Sequence, residues 1–388
     1  MTQAELDAVP ADVLADVDGI VEIAARKGIR TFGELGLQVS AVVDGKQIVD
    51  VAAGWADIAR QRPVDSRSLF PLFSATKGVV AAACAELLET GALSLDEPIA
   101  KLWPEFAVAG KSRVSLRHVL THTAGLPQMP PDTTVEQMCD WDHMVRALAA
   151  MAPMWEPGSR VGYHAYTYGW LAGQALKLAA GTGEDVATLV RRLVCEPAGG
   201  TDFWLGIPVD IEDRVVSLVA MVDAAPREDM GLFRLAIPAH LDTGPEVYGR
   251  SDVRQACLPG AGGIGTAAAM ARIYGRLAVL DQRSWARRAG QVWEQRTDTV
   301  TGRAVARGLG FWVSGSTEAP LGPPLDGGPG RFGHPGAGGS IAWADADLGA
   351  GFAVTRSRMT AVGWNDPSIV ALVEAAYSAV RRHRSGGA

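Results

Sequence analysis

Lysine is scarce in this 388-residue chain: six of its 36 basic residues are lysine (Lys27, Lys46, Lys77, Lys101, Lys111 and Lys177), and arginine carries the rest of the positive charge. A lysine inside a motif therefore stands out. Cysteine is rarer still, and Cys84, Cys139, Cys195 and Cys257 form no C-x-x-C pair, which argues against a zinc site or a disulfide framework and leaves them as buried thiols. The sequence has no basic run, and its formal net charge is -7. Phosphate backbones need clustered positive charge, so a nucleic-acid partner is not expected. No uncharged apolar stretch reaches the roughly 20 residues that span a bilayer, so no membrane partner is expected either. The opening segment MTQAELDAVPADVLADVDGI holds five acids and no Lys or Arg, unlike a secretory signal, and points to a cytoplasmic location. The motif G-x-S-x-G does not occur, which removes the ordinary nucleophile elbow of α/β-hydrolases.

What is present is a globular composition, 48% apolar and 20% charged, long enough for two or three lobes and a large core. It is long enough to need no metal or crosslink to fold, and no cofactor is expected. Apolar spacing over residues 11 to 27 predicts an amphipathic helix. Leu37 to Val43 and Gln47 to Ala53 read as a hairpin turning at Asp44-Gly45-Lys46. The Ala/Leu-rich run from Ser74 to Thr90 ends at Gly91, as a buried helix would. Residues from about 75 to 200 read as helices broken by proline turns. A helix from Thr266 to Leu280 follows, then strand-like runs at Gly308 to Val313, Ser340 to Ala344 and Ala350 to Arg356. The closing helix, Pro367 to Arg381, presents Val370, Leu372, Val373, Ala376, Tyr377 and Val380 on one face. A Gly/Pro-rich stretch runs from Gly322 to Gly339. The expected fold is α/β: an antiparallel sheet flanked by N- and C-terminal helices, built from residues 1-73 and 250-388, with a mostly helical domain over 74-249 and the site at the interface.

Two glycine motifs invite a nucleotide reading. Gly260-Ala261-Gly262-Gly263-Ile264-Gly265 fits G-x-G-x-x-G, but Cys257-Leu258-Pro259 before it is no strand, so a packing or turn role is expected. The loop Gly333 to Ser340 lacks the Gly-Lys-Ser/Thr ending of a phosphate loop. Ser74-Ala75-Thr76-Lys77 carries more. At a helix start, residues i and i+3 share a face, which puts the Lys77 amine beside the Ser74 hydroxyl. An apolar helix stem and the helix N-terminus both disfavour the ammonium and make the amine usable as a base. Four letters are a short motif, and the plainer alternative is Ser74 as an N-cap with Lys77 solvated.

With these residues the chain resembles the serine β-lactamase and penicillin-binding-protein superfamily, and within it the class C-like family VIII carboxylesterases. Phe73 to Lys77 is similar to the family's nucleophile box. Ser115 to Pro127, SLRHVLTHTAGLP, resembles its long R-H-L-L-T-H-T-S-G-L segment. Trp155-Glu156-Pro157-Gly158, with Gly162-Tyr163-His164-Ala165 and Tyr168-Gly169-Trp170, resembles the esterase form of the second box, and Gly333 to Ser340 the third, on a strand lining the site. The resemblance implies Ser74 as nucleophile, Lys77 and Tyr163 as proton-transfer groups, and the backbone N–H groups of Ser74 and Ala337 as oxyanion donors. Which of Lys77 and Tyr163 takes the serine proton stays open.

Departures from the family pattern bear on substrate. Ala165 stands where β-lactamases carry Asn. His334-Pro335-Gly336 stands where they carry Lys-Thr/Ser-Gly, so a carboxylate clamp is not expected: Pro335 has neither hydroxyl nor N–H, and His334 is only partly charged near neutrality. Neutral esters, thioesters or amides are therefore expected ahead of β-lactams or cell-wall peptides. His334, Gly336, Trp312 and His164 are the candidate substrate-binding residues, His164 with solvent exposure as an equal alternative. His122 and Thr121 are expected to hold a turn, and Trp155, Trp170 and Trp204 to be core. The expected activity is ester hydrolysis through an acyl-enzyme. An acyltransferase on the same residues is the alternative, a β-lactamase or D,D-peptidase less expected, and a non-catalytic binding protein least.

Overall fold

The Asp44-Gly45 turn is left-handed at both central residues, with φ of 47° and 79°, the geometry that matches the twist of paired strands. It joins β1 (Gly36–Val43) to β2 (Lys46–Asp57) in the structure, a computed structural model that describes residues 17–220, 231–281, 283–314, 330–360 and 363–386. The strands continue with β3 (Arg62–Pro63), β4 (Phe70–Phe73), β5 (Phe203–Leu205), β6 (Val219–Ala220) and β7 (Gly263–Gly265). Towards the C-terminus come β8 (Trp312–Val313), β9 (Arg331–Pro335), β10 (Ile341–Asp345), β11 (Ala350–Arg356) and β12 (Arg358–Met359). Seven of them form one sheet in the order β3-β2-β1-β11-β10-β9-β8, each neighbour antiparallel.

Strand alternation gives this sheet two apolar faces. Val39, Ala41, Ile341, Trp343, Phe352 and Val354 pack against helices α1 (Val17–Thr31) and, at the other end of the chain, Pro367–Gly386. That terminal helix turns inward Ile369, Leu372, Val373, Ala376, Tyr377 and Val380. The expected Val370 is only half-buried, because the i, i+3, i+4, i+7 series starts at Ile369. The remaining major helices are α2 (Thr76–Glu89), α3 (Leu116–Leu120), α4 (Trp141–Ala150), α5 (Thr167–Ala180) and α6 (Ala267–Val279), with the terminal helix as α7. Helix α6 covers the second face of the sheet. It comes so close that a Cβ on Gly351 of β11 would stand 2.0 Å from the Gly275 nitrogen. The fold is thus α/β, with an antiparallel sheet flanked by the terminal helices and a mostly helical stretch between its strands.

Helix α2 is buried on nearly every side and runs through the centre of the largest apolar cluster. A second sheet, in the order β4-β7-β5, draws its strands from three distant stretches of chain. The G-x-G-x-x-G run therefore contains a strand and does not lead from one: Gly263–Gly265 is β7, and Thr266 caps α6 by accepting the Ala269 N–H at 3.0 Å. Cys84 and Cys195 are buried and Cys139 and Cys257 partly so, all four as free thiols. Residues 11–16 of the expected first helix and 322–329 of the Gly/Pro-rich stretch lie outside the described residues. No described helix is long and apolar enough to cross a membrane.

Trp343 anchors the sheet to α7: its ring stacks on Phe352 at 4.9 Å and 4°, and its Nε1–H donates to the Tyr377 hydroxyl at 3.0 Å. Trp343→Ala is expected to lower unfolding free energy by about 3–5 kcal/mol. Urea denaturation measures this, and Trp343→Phe, which keeps a stacked ring, should lose clearly less.

Candidate active site

Ser74 sits between β4 and α2, and it is partly exposed where its neighbours are buried. The residue before it, Phe73, takes a left-handed φ of 48°, a strained conformation for a bulky side chain. Its ring is held against Tyr248 at 5.0 Å. Thr76 locks the turn from the other side: its hydroxyl donates to the Phe73 carbonyl at 2.5 Å and accepts the Gly263 N–H at 2.9 Å. Ser74 is thus not the helix N-cap, a place that Ala75 occupies without a side-chain bond. A sharp strand-to-helix turn presents the hydroxyl without the G-x-S-x-G motif.

Lys77, in the first turn of α2, is fully buried. Its Nζ lies 2.7 Å from the Ala165 carbonyl, 2.7 Å from the Gly260 carbonyl and 3.1 Å from Ser74 Oγ. Burial, helped by the Arg307 charge, holds its pKa well below that of an ordinary lysine. A neutral amine has two N–H bonds and one lone pair. In that form the two carbonyls would use the N–H bonds and the lone pair would face the Ser74 hydroxyl, whereas the ammonium form would donate to all three oxygens.

Tyr163 donates its O–H to Ser74 Oγ at 2.8 Å. Burial pushes its pKa up to about 12, with the Ser74 bond and Arg307 only partly opposing, so the phenol is protonated at neutral pH. The segment around His122 holds its loop in place. His122, at φ 60°, accepts the Gly162 N–H on its carbonyl at 2.9 Å and the His164 N–H on Nδ1 at 3.1 Å. Thr121 bonds the Arg117 carbonyl at 2.7 Å, as expected of a turn-holding residue. His164 is neither solvent-facing nor a pocket residue. It is fully buried, with Nε2 accepting the Leu126 N–H at 2.9 Å and Nδ1 2.6 Å from the Gly162 carbonyl, so both ring nitrogens are spent on holding backbone.

The remaining predicted residues converge on the same place from β8, β9 and the turn after it. His334 is buried, with its ring 6.3 Å from that of Tyr163 and 5.6 Å from that of Trp312. Its Nδ1 lies 2.7 Å from the Pro335 carbonyl, and Nε2 has no hydrogen-bond partner among the described residues. Desolvation, with Lys77 and Arg307 adding to it, keeps the imidazole uncharged near neutrality. Gly336 is required sterically, since a Cβ there would stand 2.3 Å from the Leu72 carbonyl. That contact brings Ala337 alongside the Ser74 turn. Met359 of β12 packs beneath Gly338. Trp170 is core, Trp155 packs in the small cluster with Tyr163, and Trp204 is half-buried under the Arg191 guanidinium.

Sequence reasoning missed three contributors. The Gly260 carbonyl grips Lys77, and the only trace of it was a run of small residues that lets the loop reach α5: a Cβ on Gly169 would stand 2.1 Å from the Gly260 nitrogen. Thr76, inside the S-x-x-K motif, braces the turn. Asp298 and Arg307 form an ion pair of 2.5 Å, at 0% and 1% side-chain exposure, and no motif marks them.

The sequence profile of the Beta-lactamase family matches residues 25–369. Esterase/beta-lactamase LipL of Mycobacterium tuberculosis is 32% identical over 352 residues, covering 85% of this chain and 78% of LipL. Among solved structures, a family VIII carboxylesterase superposes with a TM-score of 0.83 at 29% identity, covering 94% of this chain and 97% of that one. A penicillin-binding protein homologue from Caulobacter crescentus gives 0.81 at 34% identity, covering 94% and 98%. With a profile match over most of its length and an amine and a phenol both brought to one serine hydroxyl, the chain belongs to the β-lactamase family of serine hydrolases.

Proposed function

We propose that this protein hydrolyses a neutral carboxylic ester through an acyl-enzyme on Ser74. The observation that carries the reading is the Ser74 Oγ, 3.1 Å from a desolvated amine and 2.8 Å from a protonated phenol. In the acylation step the Ser74 proton moves to the Lys77 lone pair while Oγ forms a bond to the ester carbonyl carbon. The carbonyl electron pair moves onto oxygen, facing the N–H groups of Ser74 and Ala337. Bonding around those two amides supports the assignment: the adjacent N–H groups of Ala75, Lys77, Gly336 and Gly339 all have carbonyl partners within the two turns. Collapse then expels the alkoxide, which takes a proton from Lys77 with Tyr163 as relay. Water attacks the acyl-enzyme by the same steps in reverse and releases the acid. Protonation of Tyr163 and desolvation of Lys77 together favour Lys77 as the base.

The substrate class follows from what surrounds the acyl site. His334 is uncharged and Pro335 carries no donor, while the buried Arg307 is engaged by Asp298. This lining favours an uncharged ester, thioester or amide over a substrate that must anchor a carboxylate.

A fluorophosphonate probe should add its mass to Ser74 and leave Ser74→Ala unlabelled. p-Nitrophenyl acetate and butyrate should be hydrolysed, with Lys77→Met and Tyr163→Phe each lowering kcat by about 10²–10⁴. Equal inertness of wild type and Ser74→Ala would overturn the enzyme reading, and nitrocefin turnover at the ester rate would overturn the substrate class. A predominance of aminolysis product when amines are supplied would make the protein an acyltransferase.

The pH profile has a defined sign. The base must be unprotonated, so kcat/KM is expected to fall as pH drops through the depressed Lys77 pKa and to level off above it. Deprotonation of Tyr163 comes only near 12. Initial rates on p-nitrophenyl butyrate across the pH range measure it. A rise continuing towards the pKa of a free lysine, about 10.4, would contradict the assignment.

A further inference from the structure

We propose that Arg307, clamped by Asp298, is an electrostatic positioning residue that disfavours a second cation at Lys77 and so sets the acid limit of catalysis. The inference rests on the reading of Lys77 as the proton acceptor.

The geometry is specific. Both Lys77 and Arg307 lie against the Tyr163 ring, with Nζ 4.9 Å and the guanidinium carbon 5.4 Å from its centroid. With Lys77 protonated, two unit charges on buried side chains would thus be held within about 10 Å, where like charges repel strongly. Arg307 is also 5.5 Å from the Trp312 ring, which leaves the guanidinium between two aromatic groups. Its Nε and Nη1 have no hydrogen-bond partner among the described residues. Asp298 ties this cation to the reacting loop: Oδ2 takes the guanidinium, while Oδ1 accepts the N–H groups of Tyr163 at 3.1 Å and of Val300 and Thr301 at 2.9 Å. One ion pair therefore places Tyr163 and acts on Lys77.

The other titratable groups around the amine carry no charge near neutrality. Burial lowers His122, His164 and His334 and raises Tyr163 and Tyr168. Among the described residues this leaves Arg307, with Asp298 behind it, as the charged pair acting on the amine.

Charge variants separate this role from a merely structural one because they act in opposite directions. Arg307→Met leaves Asp298 alone and should move the acid limb of kcat/KM up by about one pH unit. Asp298→Asn leaves Arg307 unopposed and should move it down. The double variant should return towards wild type, and Arg307→Lys should stay near it. Loss of kcat with an unmoved limb, or a shift of the same sign in both single variants, would overturn the proposal. Should Arg307→Met fail to fold, Asp298→Asn decides alone: a downward shift supports the proposal and an unmoved limb overturns it.

A readout independent of turnover is the ¹³Cε titration of Lys77 in a Ser74→Ala background, assigned as the signal missing from Lys77→Arg among only six lysines. Arg307→Met should raise its midpoint. An unchanged midpoint overturns the proposal even where hydrolysis is intact, whereas a raised midpoint alongside a failure of the Ser74-bearing enzyme to acylate would count against the hydrolase reading alone.

Discussion

A primary amine shut off from water loses the hydration that stabilises its charged form, and the whole region around Ser74 is arranged to create and use that condition at Lys77. Helix α2 is apolar on almost every side, so the amine meets no solvent along its own element. Two backbone carbonyls from distant loops fix its orientation, and neither can take a proton away. The lone pair is then directed at one hydroxyl, which the Phe73 turn has pushed out of an otherwise buried surface.

The supporting parts follow from this constraint. A neutral amine is favoured where no anion stands beside it, and the three imidazoles around it, those of His122, His164 and His334, are each desolvated and each commit a ring nitrogen to a backbone group. In the segment from Thr121 to Leu126, the two threonines tie back to α3, and His122 and the Leu126 N–H hold Gly162 and His164, the residues on either side of Tyr163. Small residues recur where loops must close on the amine: Gly260 and Gly169 touch backbone to backbone, and Gly263 leaves room for Thr76.

Much of this was legible in the sequence, and the limits have physical causes. The hairpin at Asp44-Gly45, the buried α2 and the terminal helix each carry local periodicity or turn chemistry, so their patterns survive without tertiary context. The S-x-x-K spacing likewise predicted an i, i+3 contact that holds. His164 misled because a histidine beside a tyrosine in a site motif looks like a pocket residue, whereas a backbone donor 38 residues away, the Leu126 N–H, decides its role. Gly260 contributes through its carbonyl, which every residue has, so no residue type signals it. Asp298 and Arg307 are common residues whose meaning lies only in being buried together. The left-handed φ at Phe73 was invisible because the sterically costly residue there is held by packing against Tyr248, and no glycine advertises the turn.

The small β4-β7-β5 sheet has a consequence for how the enzyme comes into being. The Thr76–Gly263 bond that locks the nucleophile turn spans 187 residues, the Lys77–Gly260 bond 183, and the Tyr163–Ser74 bond 89. Closing loops of that length is entropically costly and slow, and no local interaction can stand in for it. The reactive serine therefore acquires its partners only after most of the chain has been made and brought together. A nascent or partly folded chain holds an ordinary, unactivated hydroxyl, so reactivity appears only with the finished fold.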